Sequence, residues 1–501
     1  MSHDPTEMCE LLVGLPDVTV LAVTDRSPAT PLVIEIETRF EQPVACPGCG
    51  MPAHVKDRPR VPLVDLPAFG RPARLAWLKR RWQCSSMTCP AGSWTELEPR
   101  IAAARVTMTA RAGRWATFQV GRYGRTVSEV AHELGCDWHT INTAVIAYGS
   151  LLVDRPERIG VVEALGLDEV LFSRRGEYRH KQWSTSIVDV KAGQLLDVVE
   201  GRDAAPACAW LAERGPEWCA QIRYGTLDLS GPYKAVFDTM LPAATQVVDP
   251  FHLVKLGGSK LDDCRRRVQN ETLGHRGRKD DPLYRARKLL VMAQERLDED
   301  RQSKLTGLLA VGDPRGEVAT AWHAKEAIRE LYAHRDPNLA LAWVDQLSAD
   351  MRDSSCPPEV RQLGRTMRTW RKPIAAWHQA QVTNGPTETM NGLAKRVKRI
   401  AFGMTNFLHW RIRVLLYAGK PDWSRLSAVT PARRLAVVLR PHARRRPHPC
   451  PPHVPQGPGD GRHTNAPTAM AEAFVQVRSG FVGGGWGIRT PESVATQHGF
   501  Q

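Results

Sequence analysis

At 501 residues the chain is too long for one ordinary hydrophobic core, so three or more domains are expected. With 42% hydrophobic and 24% charged residues it reads as globular, and 68 Lys plus Arg against 53 Asp plus Glu give a net charge of +15, which favours a phosphate-rich partner. No apolar run reaches about eighteen residues and no charged start precedes an apolar stretch, so neither a membrane span nor a signal peptide is expected and the protein reads as intracellular.

Residues 1–98 read as a metal-binding domain. Residues 18–23 and 32–36 alternate apolar and polar as half-buried strands do. They lead to Cys46-Pro47-Gly48-Cys49, and a second pair, Cys84 and Cys89, is reached through residues 73–82, whose alternation predicts one strand with a basic face. Thiolates two to four residues apart present two tetrahedral ligands from one turn, and in a reducing compartment close pairs favour metal over disulfides. Cys46, Cys49, Cys84 and Cys89 therefore predict a structural Zn²⁺ in a zinc ribbon. The spacer between the pairs is long for a ribbon, and four ordinary thiols are the alternative.

Residues 99–152 read as a DNA-binding domain, helical from about Ile101 to Ser150. Small Ala131 stands where two helices would cross, Gly135 falls in the turn and Ile141 follows on the buried side. This is the packing pattern of a helix-turn-helix, which leaves Trp138, His139, Thr140 and Asn142 to meet a DNA groove. A plain pair of antiparallel helices has a similar pattern.

From residue 155 to 430 the rhythm is that of an α/β domain. Residues 164–172, 182–190 and 194–200 predict three consecutive strands; a helix over 204–214, a strand over 221–228, a helix over 233–240 and a strand over 246–248 follow. A meander, then a helix and further strands, is the order of a ribonuclease H-like fold, a mixed sheet with flanking helices. Residues 261–376 are helical and charged without strand alternation, and predict an all-helical insertion. Residues 431–501 read as a basic Pro/Gly-rich tail without a core-forming pattern, with nine Arg against three acids from Ala432 onward.

Three acids stand at element ends: Asp168 on the first strand of this domain, Asp228 at the end of the fourth, and Glu388 at the start of a later helix. Phosphodiester chemistry needs an activated nucleophile and a stabilised leaving oxygen, and two Mg²⁺ ions about 3.5–4 Å apart supply both. Mg²⁺ prefers carboxylate oxygens, so three converging acids would suffice, with Mn²⁺ as a substitute metal. Each acid alone also has a mundane reading, as a strand-end, turn or helix-start residue. Beyond Glu388, Lys395 and Arg399 recur on one helix face, as a stripe for a DNA backbone or as a solvated surface.

Residues 226–233, Val248-Asp249-Pro250-Phe251-His252-Leu253-Val254-Lys255, residues 274–284, residues 384–391 and Ala401-Phe402-Gly403-Met404-Thr405-Asn406-Phe407 resemble, in order, the DDE transposases of the bacterial insertion-sequence family ISL3. The resemblance spans roughly residues 10–430 and includes the order of zinc-binding domain, helix-turn-helix and catalytic domain. It implies a ribonuclease H-like core with Asp168, Asp228 and Glu388 as Mg²⁺ ligands. Asp249 and His252 resemble an acid-x-x-His element found in related transposases, so Asp249 competes with Asp228 for the second ligand position, and His252 would support the site. It further implies cleavage and strand transfer at terminal inverted repeats, double-stranded element ends and target DNA as partners, a homo-oligomer on DNA, and a cytoplasmic, nucleoid-associated location. The alternative is a transposase-derived DNA-binding regulator or a decayed, inactive copy.

Overall fold

The computed structural model describes residues 5–39 and 43–431; the tail expected beyond residue 431 lies outside them. The chain forms two compact units. One comprises the residues up to Leu253, His334–Gln346 and those from Met367 on; the other comprises Val254–Ala333 and Leu347–Thr366.

Among its described residues the N-terminal region holds seven strands: β1 (Val18–Thr24), β2 (Leu32–Thr38), β3 (Ala53–Asp57), β4 (Arg60–Ala68), β5 (Arg71–Leu78), β6 (Arg81–Cys84) and β7 (Ser93–Thr95). They make two sheets, a four-stranded one in the order β1-β2-β5-β4 and a three-stranded one in the order β3-β6-β7. The single strand expected over residues 73–82 is therefore broken at Lys79-Arg80, and its halves serve different sheets. Leu63, Leu75 and Trp77 fill the core of the first sheet together with Ile36. The β4–β5 hairpin explains the long spacer between the cysteine pairs. It is an excursion into the larger sheet, after which β6 returns antiparallel to β3 with Ala53 opposite Cys84.

Three helices follow, Ala110–Gly121, Val127–Glu133 and Trp138–Val153. The residues before them, expected to be helical from about Ile101, instead include an isolated bridge between Met108 and Val64. Thr126 and Glu129 form a reciprocal capping box at the second helix, and Asp137 caps the third through Thr140 N. Ala131, Leu134, Ile141 and Val145 are buried between them. Gly135 turns the chain at φ +61°, and a Cβ there would meet Pro72 Cβ at 2.8 Å, so both conformation and space demand glycine.

The central sheet has strands β8 (Ala164–Arg175), β9 (His180–Asp189), β10 (Gln194–Glu200), β11 (Tyr224–Leu227) and β12 (Thr245–Val248), in the order β10-β9-β8-β11-β12. The first three are an antiparallel meander, and β11 runs parallel to β8 and β12. This is the ribonuclease H-like arrangement, with helices Ala204–Arg214, Gly231–Met240, Arg371–Ala380, Gly385–Ile400 and Phe407–Ala418 in the same unit. Leu165, Leu167, Ile187, Val188, Leu227 and Val248 are fully buried, as a sheet covered on both faces requires.

The second unit is all helical among its described residues. Arg267 holds it together by pairing with Glu271, Glu317 and Glu359, which come from three of its segments.

Candidate active site

The sheet brings the three acids to one place through its topology. Asp168 lies within β8, the central strand; Asp228 directly follows the neighbouring β11; Glu388 is in the first turn of the helix Gly385–Ile400. That helix starts at Asn384 and carries Pro386 in its first turn, where a missing N–H is harmless. It approaches the sheet closely because position 166 is glycine: a Cβ there would overlap Thr387 Oγ1 and lie 3.0 Å from Thr226 Oγ1.

Each carboxylate is held by a neutral or imidazole donor. Asn391 Nδ2 donates to Asp168 Oδ2 (2.7 Å), and Asn391 Oδ1 accepts from Ser186 Oγ (2.6 Å). Asn384 Nδ2 donates to Asp228 Oδ1 (2.9 Å), and Asn384 Oδ1 accepts from Thr226 Oγ1 (3.1 Å). His252 Nε2 stands 3.1 Å from Asp228 Oδ1 and 3.0 Å from Glu388 Oε1. Two acceptors facing one ring nitrogen require the proton on it. Asp228 Oδ2 and Glu388 Oε2 receive no hydrogen bond from the described residues.

The cluster carries an electrostatic load. Burial, with the charge of Asp228 added, pushes the Asp168 carboxyl up to about 6. Asp228 is raised too, by burial first and by Glu388 and Asp249 next, against the opposing pull of His252 and Asn384. Gathered, partly buried acids whose ionised forms are disfavoured mark a place where a cation would relieve the repulsion.

Asp249 is differently engaged. It is 6% exposed; its Oδ1 accepts from Phe251 N (2.7 Å) and its Oδ2 from Asn384 N (2.6 Å). Both oxygens serve backbone N–H groups at the starts of two helices, Pro250–Leu273 and Gly385–Ile400. Asn384, Asn391, Thr226 and Ser186 are site residues that the sequence reading did not assign. The available signal was spacing: Asn384, Glu388 and Asn391 stand four and three residues apart, on one face of a helix.

Of the residues expected to face DNA, Lys395 and Arg399 are exposed on the outer face of the Gly385–Ile400 helix, while Lys398 turns in to donate to Leu171 O (3.0 Å). Trp138 is 43% exposed and His139 is exposed. Thr140 is bound by its N–H and hydroxyl to the capping Asp137. Asn142 does not lie on the exposed face expected of it: it is 5% exposed, with its Nδ2 at 3.4 Å from His409 Nδ1, because the third helix packs this face against Phe407–Ala418.

The thiols form a separate cluster. Cys46, Cys49, Cys84 and Cys89 place their sulfurs within 4.8 Å of one another, with Cys46–Cys89 at 3.7 Å and Cys49–Cys84 at 3.4 Å. A tetrahedral ion with metal–sulfur bonds of about 2.3 Å would set its sulfurs roughly 3.8 Å apart, so the four residues fit one ion. Gly48 N donates to Cys46 Sγ (3.5 Å) and Ser86 N to Cys84 Sγ (3.3 Å), which orients a sulfur in each turn.

Residues 165–414 match the transposase domain model of the ISL3 family, and residues 42–89 match the model described as the zinc-finger of transposase IS204/IS1001/IS1096/IS1165. Two curated relatives, the transposases for insertion sequence element IS1557 of Mycobacterium tuberculosis strains CDC 1551 / Oshkosh and ATCC 25618 / H37Rv, are each 27% identical over 286 residues. The alignment covers 53% of this chain and 62% of each relative, so it spans less than two thirds of their length. With a ribonuclease H-like core, three gathered acids and a four-thiol cluster all falling in the matched regions, the chain belongs to the ISL3 family of DDE transposases.

Proposed function

We propose that the protein is the transposase of a bacterial insertion sequence, which binds the terminal inverted repeats of its element, cleaves DNA strands and joins the freed 3′ hydroxyl to target DNA. The observation that carries this reading is the convergence of Asp168, Asp228 and Glu388 from two strands and a helix, each fixed by Asn391, Asn384 or His252. Their fit to Mg²⁺ rests on two features of the donors. They are hard oxygens with lone pairs left open at Asp228 Oδ2 and Glu388 Oε2, and their charges repel one another in a partly buried place. Two bound Mg²⁺ would lower the pKa of an attacking water or hydroxyl and neutralise the leaving oxygen.

The chain's own residues supply position. Asn391 and Asn384 orient Asp168 and Asp228 without adding charge, so each carboxylate keeps its full charge for a cation. His252 spans Asp228 and Glu388 and sets their separation. Asp249, with both oxygens engaged, supports the site by fixing the start of the Glu388 helix, and Asp228 takes the second ligand position. Zn²⁺ on Cys46, Cys49, Cys84 and Cys89 would stabilise the N-terminal sheet, and Trp138, His139, Lys395 and Arg399 would meet duplex DNA. Two element ends held together imply a homo-oligomer on DNA. Among the described residues no helix is long and apolar enough to cross a membrane.

A strand-transfer assay with Mg²⁺ tests the reading. Asp168→Ala, Asp228→Ala and Glu388→Ala are each expected to abolish cleavage while leaving DNA binding. A wild-type chain that binds DNA but never cleaves it would instead be a DNA-binding protein on an inert catalytic fold.

A further inference from the structure

The segment Ala401–Asn406, which joins the Glu388 helix to the helix Phe407–Ala418, has a backbone that its sequence does not favour. The Glu388 helix ends in a paired turn: Gly403 N donates to Lys398 O (3.1 Å) and Phe402 N to Arg399 O (3.0 Å). This is the Schellman arrangement, and the residue in its left-handed position is normally glycine. Here it is Phe402, at φ +52°, although glycine stands one place later. The ring gains nothing from burial, since Phe402 is 94% exposed. A bulky aromatic kept in a left-handed conformation and left in solvent points to a use outside the fold.

The same segment walls a cavity of about 240 Å³ whose other side is the helix-turn-helix. Trp138, Asn142, Phe402, His409 and Arg413 are among its lining residues, and no Asp or Glu is. The acids adjoining it in sequence, Glu129 and Asp137, are engaged in helix caps. Asn142 and Arg413 are each 5% exposed, and among the described residues neither the acceptor Asn142 Oδ1 nor the donor Arg413 Nε has a hydrogen-bond partner. The exposed Lys395, Arg396 and Arg399 lie on the helix that leads to Phe402. An acid-free cavity lined by aromatic rings, an amide side chain and a guanidinium side chain matches the faces and edge of a nucleobase beside a phosphate backbone.

We propose that this cavity receives a single nucleobase extruded from the DNA held by the helix-turn-helix, with Phe402 inserted into the stack in its place and with Asn142 and Arg413 meeting the edge of the base. The proposal rests on the DNA-binding reading above. It differs from a groove-contact role for Asn142, because that buried side chain can reach a base only after the base has left the duplex.

The probes are two short duplexes of the same sequence, one fully paired and one with a single 2-aminopurine opposite an abasic residue, titrated against the full chain with no added Mg²⁺. Extrusion is easier at the unpaired base, so the wild type should bind the second duplex tighter, by on the order of 10-fold. Phe402→Gly should melt no lower than wild type and, because phosphate contacts still hold the paired duplex, lose more affinity for the second duplex than for the paired one, so that the preference disappears. Phe402→Tyr should retain it. Equal binding of both duplexes by the wild type, or an undiminished preference in Phe402→Gly, would overturn the proposal while leaving DNA binding intact. A chain that bound neither duplex would overturn the DNA-binding reading and this proposal together.

Discussion

The four thiols and the three carboxylates prepare for a metal in opposite ways. The thiols come from two short turns, sit within 4.8 Å of one another and are oriented by backbone N–H groups of those same turns. The carboxylates come from residues as far apart as Asp168 and Glu388, and side chains from other elements hold them. Donors supplied locally make a closed set suited to a structural ion, in which the metal stabilises the fold. Donors supplied by the fold stay spread, with oxygens left open, and carry repulsion that the surrounding fold must withstand. The first site should therefore fail by unfolding and the second by losing chemistry.

The largest effect is expected at the thiols. Cys84→Ser removes one ligand, and in small zinc modules metal binding is worth about 10–16 kcal/mol of folding free energy. The β3-β6-β7 sheet should lose its amide exchange protection and the chain its bound zinc, while protection in β8 persists. Intact protection in β3 and β6 after metal loss would show that the two sites do not differ in this way.

Next comes Asp249 against Asp228. Removing Asp249 strands the N–H groups of Phe251 and Asn384 at two helix starts, so Asp249→Ala should lose about 2–5 kcal/mol in urea unfolding. Asp228→Asn should abolish cleavage with little loss of stability. Cleavage surviving in Asp228→Asn would transfer the ligand role to Asp249.

Asp168→Asn tests the repulsion itself. The folded-state pKa is raised from 3.8 to about 6, so between those values the folded chain binds more protons than the unfolded one, and stability falls as pH rises through that window. Above it the ionised carboxylate destabilises the metal-free fold, by about 1–3 kcal/mol. Asp168→Asn, which can still accept from Asn391, should therefore raise the metal-free melting temperature at pH 7.5 and have almost no effect at pH 4. The reverse order of the two pH values would remove the electrostatic account. Mg²⁺ affinity of the wild type should weaken as pH drops below about 6, since protons and metal compete for the same oxygens.

The contrast between the sites also governs what the sequence displays. The cysteine pairs were legible because each occupies one turn; their long spacer was not, because the β4–β5 hairpin inside it pairs with β2 in another sheet. Asp228 and Glu388 stand at element ends as expected, whereas Asp168 lies inside β8 rather than at its end; the meander order identified the sheet that carries Asp168 and Asp228. Asn384 and Asn391 were not legible, since an asparagine shows its role only when packing supplies its acid from another element. The burial of Asn142 was not legible for the same reason: the exposed side of its helix depends on the helix Phe407–Ala418, hundreds of residues away in sequence.

The smallest effect tests how finely the fold sets the carboxylates. Gly166 and Thr387 are the point where the sheet carrying Asp168 meets the helix carrying Glu388. Gly166→Ala forces a methyl against Thr387 Oγ1, Val190 Cγ2 and Thr226 Oγ1, and overpacking of this kind loses about 1–3 kcal/mol. Stability is the lesser readout, because Glu388 adjoins Thr387 and must move with it. A displacement near 1 Å lowers a positioned reaction by about 10²-fold, so cleavage should fall further than the melting temperature suggests. Thr387 Oγ1 is buried and has no partner among the described residues, so Thr387→Ala alone removes no hydrogen bond seen there. Combined with Gly166→Ala it relieves the worst overlap and should restore part of the activity, a coupling that two independent lesions would not show. Additive losses would mean that Glu388 takes its position from His252 alone, and that the close approach of helix to sheet serves stability without serving the site.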